Sequence, residues 1–235
     1  MVPLNDDNPT KITPYLTYAL IAINIVIFLY ELSLPPQELQ SFFRTYAIVP
    51  RDLTASLLSR EPNQILPQFL TLVTSQFLHG GFLHLAGNML FLWIFGNNIE
   101  EQLGRFKYLI FYLTCGILAG LAQWFFSPQS NIPALGASGA IAGVLGAYIL
   151  RFPHTKILTL IPLGFFFYTV RIPAIFFLGF WFLQQALYGV ASLNARSNIG
   201  MESGGVAYWA HAGGFVFGVV LGPLLGLFPA RKKEL

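Results

Sequence analysis

The sequence predicts an all-α polytopic membrane protein in which six transmembrane helices form a single bundle. Hydrophobic residues make up 55% of the chain and charged residues only 10%, whereas an ordinary soluble domain carries about 25% charged residues. Five intervals contain no Asp, Glu, Lys or Arg and can hold six spans of about 20 residues each. Residues 1–235 are therefore predicted to form one membrane domain, with a short polar N-terminal segment (1–11) and a basic tail (230–235).

The predicted spans follow the apolar intervals from one helix breaker to the next. The first span ends at Pro35 and Pro36, because proline cannot continue a helix without losing a hydrogen bond. A polar loop with amphipathic pieces follows as far as Pro67, and a turn at residues 96–98 is predicted to join the second and third spans. The six spans are predicted at residues 14–34, about 84–95 with flanking residues, 106–126, 138–150, 176–190 and 208–228.

Residues 153–173 interrupt the helical pattern between the fourth and fifth spans. The runs KILTLIP and FFFYTVRIP are rich in β-branched and aromatic residues and flank a turn at residues 162–164. This pattern is typical of a β-hairpin, and we expect it to lie at the membrane interface. The first apolar run is too long for a signal-peptide core and follows two acidic residues, so we expect it to be retained as the first span.

The distribution of Lys and Arg predicts the orientation, because six spans place both termini on one side of the membrane. Nine basic residues fall on the side of the termini and four on the other side. The termini are therefore predicted to be cytoplasmic, in a bacterial plasma membrane. The nine are Lys11, Arg105, Lys107, Arg151, Lys156, Arg171, Arg231, Lys232 and Lys233, and the four are Arg44, Arg51, Arg60 and Arg196.

Polar side chains at membrane depth are candidate functional residues, because a strongly polar group is costly there. His84 and Asn88 lie four residues apart in the second predicted span, so they project from one face of the helix. His79 lies five residues before His84 and is expected near the outer end of this helix. Hydrogen bonding between helices is the alternative role for His84 and Asn88.

Two further motifs place small residues at helical spacing. In GASGAIAGVLGAY, Ser138 opens the fourth predicted span, and in YWAHAGGFVFG, His211 precedes Gly214 and Gly218 on one face of the sixth. Small residues let two helices approach closely, which is common in membrane helices without any catalytic role. Both spans enter from the outer side, so we expect them to pack together with Ser138 and His211 at similar depth.

These residues suit acyl transfer. A serine hydroxyl is a weak nucleophile until a base takes its proton, and His211 is the base available to Ser138. The developing oxyanion needs preorganised donors. His84, Asn88 and the backbone N–H of Ser138 at a helix N-terminus can supply them. The sequence therefore predicts a catalytic dyad of serine and histidine.

The positions of the Asp, Glu, His and Cys residues exclude other catalytic and binding functions. No aspartate lies in a predicted span, which leaves no aspartyl pair in the membrane and no third member for the dyad. The chain has no H-E-x-x-H motif, and His79 and His84 are not four residues apart, so no metal or other cofactor is predicted. The single cysteine, Cys115, cannot form an intrachain disulfide. A net charge of +3 spread over loop ends forms no basic face, so we expect no nucleic-acid partner.

Together the motifs resemble the rhomboid family of intramembrane serine proteases. H-x-x-x-x-H-x-x-x-N, G-x-S-G and A-H-x-x-G-x-x-x-G occur in that order across nearly the whole chain. The resemblance implies a six-helix rhomboid-like bundle with Ser138 as nucleophile, His211 as base, and His84 and Asn88 as oxyanion contributors. It also implies an intramembrane endopeptidase whose partners are the lipid bilayer and transmembrane protein substrates, cleaved near the outer membrane face.

The resemblance assigns structural roles as well. Glu100 and Gly104 look like the turn that follows the second span in the family, and residues 192–207 look like a cap above the site. Gly214 and Gly218 look like the face that packs on the fourth span. The fifth span is similar to the family's lateral gate, with Phe176, Phe177 and Trp181.

Two features depart from the family pattern. Many members carry a Trp-Arg pair in the first outer loop, which residues 36–67 lack. Many also carry an aromatic residue four positions after the nucleophile, where this sequence has Ala142. We therefore expect other contacts, such as Tyr208 or Trp209, to hold His211.

Two alternative functions remain open. The first is a non-catalytic rhomboid-like factor that binds or escorts membrane proteins, which the loss of Ser138 or His211 would favour, although both are present. The second is a small transporter, since polar residues within the membrane also occur in transporters. The halves of the sequence show no internal repeat of the kind that many transporters have.

Overall fold

The architecture is a set of apolar helices packed side by side, with a small sheet at one end. A computed structural model describes residues 1–194 and 206–228. In these residues a 3₁₀ turn (Ser75–Phe77) follows the fourth helix, and a π-helical turn (Leu92–Gly96) joins the fifth to the sixth. The elements are β1 (Val2–Asp6), α1 (Tyr15–Ser33), α2 (Pro36–Tyr46), α3 (Pro50–Ser59), α4 (Pro62–Thr74), α5 (Phe82–Phe91), α6 (Asn97–Leu103), α7 (Arg105–Phe126), α8 (Ser138–Arg151), β2 (Lys156–Leu163), β3 (Phe166–Pro173), α9 (Ala174–Asn194) and α10 (Tyr208–Leu225).

Four helices in the described part of the chain are long and apolar enough to cross a membrane, namely α1, α7, α9 and α10. A fifth span results if the helices Pro62–Phe77 and Phe82–Leu103, which are bent by 80° at a short break, count as one. The chain is therefore a helical multi-pass membrane protein. The predicted count of six spans is not confirmed, because α8 has only 14 residues, where about 20 are needed.

The short helix α8 lies at the centre of the fold. Every residue from 139 to 148 is buried, so neighbouring helices rather than lipid surround it. Small residues on two sides allow this, since Gly143 faces Cys115 of α7 and Gly146 faces the backbone of α10. Cys115 is a free, buried thiol. The central position of α8 fixes the place of its first residue, Ser138.

The predicted turn at residues 96–98 is wrong. The helix continues from α5 through the π-helical turn into α6 and ends at Gly104, whose φ of 73° favours glycine. Gly96 lies inside this helix, and the position requires glycine because a Cβ there would collide with the side chains of Tyr108 and Leu92. Glycine and asparagine thus serve close packing and buried hydrogen bonding here rather than a turn.

Glu100, which the family resemblance assigned to the turn after the second span, lies within α6 and connects this helix to α1. It is fully buried, and its carboxylate accepts hydrogen bonds from the backbone N–H groups of Leu16 and Thr17 and from the Thr17 hydroxyl. It thereby satisfies donors that the start of α1 leaves free. The second membrane helix and the first are joined by this contact.

The segment predicted as a polar loop with amphipathic pieces contains helices. The first residues of α2, α3 and α4 are Pro36, Pro50 and Pro62, respectively. Proline costs no hydrogen bond at this position of a helix. The fourth helix also continues past Pro67 to Thr74, so the loop does not end at that proline.

The predicted hairpin at residues 153–173 is confirmed, and it belongs to a larger sheet. Strands β2 and β3 pair antiparallel around Gly164, whose φ is 63°. Strand β1, which the sequence did not predict, pairs antiparallel with the other edge of β2. Asp6 of β1 is buried and accepts hydrogen bonds from the Tyr148 hydroxyl and the Asn98 amide, so the sheet is tied to α8 and α6.

Candidate active site

Ser138 and His211 lie within hydrogen-bonding distance of each other. Ser138 is the first residue of α8, and His211 lies one turn into α10. The distance between Ser138 Oγ and His211 Nε2 is 2.7 Å, and both side chains are half-buried. The serine also stands where the backbone N–H groups of the first helical turn are free, which favours negative charge.

The two helices meet through glycines, as predicted. A Cβ at Gly214 would collide with the carbonyl group of Gly139, and one at Gly218 would collide with the carbonyl group of Gly143. The backbones of α8 and α10 are thus in direct contact along one face. This contact holds His211 at a fixed distance from the Ser138 hydroxyl.

Gln185 of α9 is a site residue that the sequence did not reveal. Its Oε1 lies 2.8 Å from His211 Nδ1, so the Nδ1–H donates and Nε2 is left as the acceptor that faces Ser138. Trp181, one turn earlier on α9, places its ring centroid 5.8 Å from that of His211. Two adjacent glutamines, Gln184 and Gln185, in an otherwise apolar span were the available signal, but the sequence did not show which side chains they meet.

The expected supports of His211 lie elsewhere. Trp209 stacks on Phe126 with a centroid distance of 3.8 Å, and Tyr208 lies against Tyr188. The proposal that Tyr208 or Trp209 holds His211 is therefore wrong. Both rings instead pack α10 against its neighbours, while the fifth span supplies the contacts to the histidine.

His84 and Asn88 converge on the segment that leads into Ser138. A Cβ at Gly136 would lie 2.8 Å from His84 Nε2 and 3.5 Å from Asn88 Nδ2, and the φ of Gly136 is 122°. Only glycine adopts this backbone without strain. Both side chains therefore approach the backbone two residues before the serine.

His79 lies in the loop before α5, and its side chain contacts that of Asn88 in α5. Asn88 Nδ2 donates to His79 Nε2 over 3.0 Å, and the backbone N–H of His79 lies 3.2 Å from the carboxylate of Glu31 in α1. Glu31 is only 2% exposed. His79 thus lies just before the start of α5, as its position in the sequence suggested, and it is a buried link between Asn88 and α1.

A small cavity of about 30 Å³ lies beside Ser138. Ser75, Gln76 and Gly136 are among the residues that line it, and the volume is sufficient for a water molecule. Gln76 Oε1 is buried without a hydrogen-bond partner in the described residues.

Two expectations concern parts of the chain that lie partly or wholly outside the described residues. Of the predicted cap at 192–207, residues 195–205 lie outside them, as does the basic tail 230–235. Within 1–194 and 206–228, no group of three His, Cys, Asp or Glu side chains is arranged to hold a metal ion.

The fold and the site define a multi-pass helical membrane protein with a serine and a histidine in contact between two helices. The Rhomboid domain model matches residues 66–228. The chain is 30% identical to mitochondrial Rhomboid protein 1 of Saccharomyces cerevisiae over 93% of its own length and 56% of the relative's. The chain belongs to the rhomboid family, as its motifs indicated.

Two further relatives show the breadth of the family. Chloroplastic Rhomboid-like protein 11 of Arabidopsis thaliana is 34% identical over 72% of this chain and 56% of the relative. Rhomboid protease GluP of Bacillus subtilis is 45% identical over 33% of this chain and 15% of the relative. The chain spans 56% of the length of the yeast and Arabidopsis relatives. Because these two are named as organellar, the comparisons do not support a bacterial plasma membrane for this chain.

Proposed function

We propose that this chain is an intramembrane serine endopeptidase that cleaves transmembrane segments of membrane proteins near the outer membrane face. The observation that carries the proposal is the 2.7 Å distance between Ser138 Oγ and His211 Nε2. A hydroxyl that donates to a neutral imidazole nitrogen is the arrangement that activates a serine nucleophile. Membership of the rhomboid family supports the same assignment, since one relative of this chain is named a protease.

In the proposed reaction, Ser138 Oγ attacks the carbonyl carbon of the scissile peptide while its proton passes to His211 Nε2. His211 then gives the proton to the leaving amine, which leaves an acyl-enzyme on Ser138. A water molecule, deprotonated by His211, hydrolyses the acyl-enzyme and restores the serine. The cavity beside Ser138 is large enough to supply this water from within the fold.

The remaining residues act on the geometry and charge of this reaction. Gln185 accepts from His211 Nδ1–H and stabilises the tautomer in which Nε2 is the base. His84, Asn88 and the backbone N–H of Ser138 are proposed to stabilise the oxyanion, because the two side chains border Gly136 just before the serine. No step in this scheme uses a metal or another cofactor.

The wider arrangement is also part of the proposal. One rhomboid-like membrane domain spans residues 1–235, with α8 as a short fourth membrane helix that brings the number of spans to six and that neighbouring helices shield from lipid. Both termini lie on the side that carries nine of the 13 basic residues. The starts of α8 and α10, and with them the dyad, then lie toward the opposite, outer face.

A serine-directed probe tests the proposal. A fluorophosphonate should label the purified protein in detergent, and the label should disappear in Ser138→Ala and His211→Ala but persist in Ser41→Ala, an exposed serine on α2. Both dyad variants should also abolish cleavage of a model transmembrane substrate while the protein remains folded. Binding of that substrate by the unmodified chain, without labelling or cleavage, would instead favour a non-catalytic escort factor.

A further inference from the structure

The hairpin formed by β2 and β3 has two chemically different faces. The register pairs Ile157 with Ile172 and Leu163 with Phe166, and alternate residues point to opposite sides. One side, here called the inner face, carries no charge, whereas Lys156 and Arg171 both lie on the other, outer face. The inner face consists of Ile157, Thr159, Ile161 and Leu163 on β2 and Phe166, Tyr168, Val170 and Ile172 on β3.

The base of the inner face is covered by protein and its tip is not. Ile157 and Thr159 are fully buried, and Ile157 belongs to the hydrophobic core of the helices. Along β3 the exposed fraction then rises steadily toward the turn, from 41% at Val170 to 57% at Tyr168 and 69% at Phe166. The hairpin therefore extends beyond the helices with an apolar face that continues the surface packed on them.

The neighbouring helices locate this face relative to the membrane. Helix α8 ends at Arg151, shortly before β2, and the candidate span α9 begins at Ala174, immediately after β3. The base of the hairpin thus lies where membrane helices end, and its inner face is directed toward them. Beyond the edge of the bundle, the material at that level is the lipid of the surrounding leaflet.

The chemistry of the tip agrees with an interfacial position. Aromatic side chains are enriched where the headgroups meet the acyl chains, and at the tip the inner face carries two of them, Phe166 and Tyr168. The free edge of β3 has backbone groups without a strand partner in the described residues, and such groups need water or headgroups near them. The tip therefore suits the interface rather than the hydrocarbon core.

We infer that the tip of the β2–β3 hairpin is a membrane anchor whose inner face rests in the lipid interface of the leaflet near the N-terminus. Leu163, Phe166 and Tyr168 contact lipid, while Arg171 and Thr169 on the outer face remain in water. The anchor is separate from catalysis, because the hairpin and Ser138 lie at opposite ends of α8.

Spin labels on adjacent residues test this inference. In a Cys115→Ala chain reconstituted into phosphatidylcholine vesicles, single cysteines at Tyr168 (inner) and Thr169 (outer) are labelled with a nitroxide. The label at 168 should collide several-fold more often with oxygen, which concentrates in lipid, and several-fold less often with a water-soluble nickel chelate than the label at 169. Phe166 and Phe167 form a second inner and outer pair that should repeat the difference.

Two results would overturn the inference. Equal access of the nickel chelate to both members of each pair would place the whole tip in water. Shielding of the inner labels from both oxygen and nickel would show that protein, such as a second copy of the chain, covers this face. Thermal unfolding of each variant in detergent, compared with that of the Cys115→Ala chain, provides an independent check that the chain is folded.

Discussion

At the residue scale, the site is built around the ring of His211. Ser138 lies at one ring nitrogen and Gln185 at the other, and Trp181 packs beside the ring. The neutral imidazole thus has a fixed tautomer and a fixed orientation. Gln185 occupies the place that a carboxylate holds in a three-residue hydrolase site, but without bringing a charge into the membrane.

Replacing Gln185 with Leu should lower kcat about tenfold and leave KM nearly unchanged. The substitution removes one hydrogen bond that orients the base, and substrate binding does not involve it. Gln184→Leu, the neighbouring glutamine on α9, is the matched control and should retain wild-type kcat. Steady-state cleavage of a transmembrane substrate in detergent measures both constants. A change confined to KM would show that Gln185 contacts substrate instead of positioning the histidine.

His84 and Asn88 should each be important without being essential. Removing one oxyanion donor typically lowers the rate by about 10²–10³, and the Ser138 N–H and the other side chain remain in each single variant. His84→Ala and Asn88→Ala should therefore be slow but measurable, and the double variant slower still. Wild-type kcat in both single variants would assign these residues to interhelical hydrogen bonding alone.

The residues of the site differ in how far the sequence could predict them. Ser138 and His211 were predictable because each stands at the start of a small-residue helix face, where a polar group has an evident reason to be presented to a neighbour. Gln185 was not, because helical spacing gives its face on α9 but not which helix that face meets. The contact of His79 with Glu31 could not be predicted either, because the two residues lie 48 positions apart in the sequence.

At the scale of elements, the contact between α8 and α10 is the feature that the sequence predicted best. Glycines at helical spacing on both partners specify a close approach, and the structure has it. The helix through residues 92–103 was predicted poorly, since glycine and asparagine usually mark turns. Here Asn98 donates to the Ile94 carbonyl and to Asp6, a buried partner supplied by the unpredicted strand β1.

A glycine-to-alanine substitution should be destabilising where two helices are in close contact and tolerated where a helix face is open. Gly218→Ala should destabilise the protein by about 1–3 kcal/mol and reduce activity, because the new Cβ would collide with the Gly143 carbonyl group. Gly179→Ala on α9 is the control, since no atom lies within 4 Å of a Cβ built there. It should be neutral or slightly stabilising. Thermal unfolding in detergent compares the two, and equal losses would contradict the close contact.

The link between β1 and the helices should depend on pH. Burial raises the pKa of Asp6 above its usual value, with a further increase from Asp7, while hydrogen bonds from Tyr148 and Asn98 act in the opposite direction. The folded protein therefore holds this proton more tightly than the unfolded chain, and the associated stability is lost as pH rises above about 4. Asp6→Asn should remove this dependence. The melting temperature of this variant should therefore rise relative to that of the wild type between pH 4.5 and 7. Parallel trends in the two proteins would contradict this account.

At the scale of the whole molecule, the length of α8 sets the depth of Ser138 in the membrane, and under the proposed function this depth determines where cleavage occurs. Its 14 residues rise about 21 Å, whereas the hydrocarbon core of a bilayer is about 30 Å thick. With Arg151 at one boundary, Ser138 lies roughly 9 Å below the other. A substrate helix that reaches this depth still has its carbonyl groups in hydrogen bonds, so it must unwind locally before Ser138 can attack one of them.

This requirement predicts which substrates are cleaved quickly. Glycine is about 1 kcal/mol less favourable than alanine in a helix, so a substrate with glycine near the outer end of its span should unwind more readily. Replacing one such glycine with leucine should lower kcat by up to roughly fivefold. The small residues Gly136, Ala137 and Gly139 around the serine favour a cut after Ala, Ser or Gly. Binding should change less than kcat, because docking of the substrate helix does not itself require that it unwinds. The comparison uses two substrates that differ only at that position, with affinity measured on the Ser138→Ala variant and kcat at saturation on the wild type. Equal kcat values for the two substrates would show that unwinding does not limit the reaction, and the depth of Ser138 would then not explain selectivity.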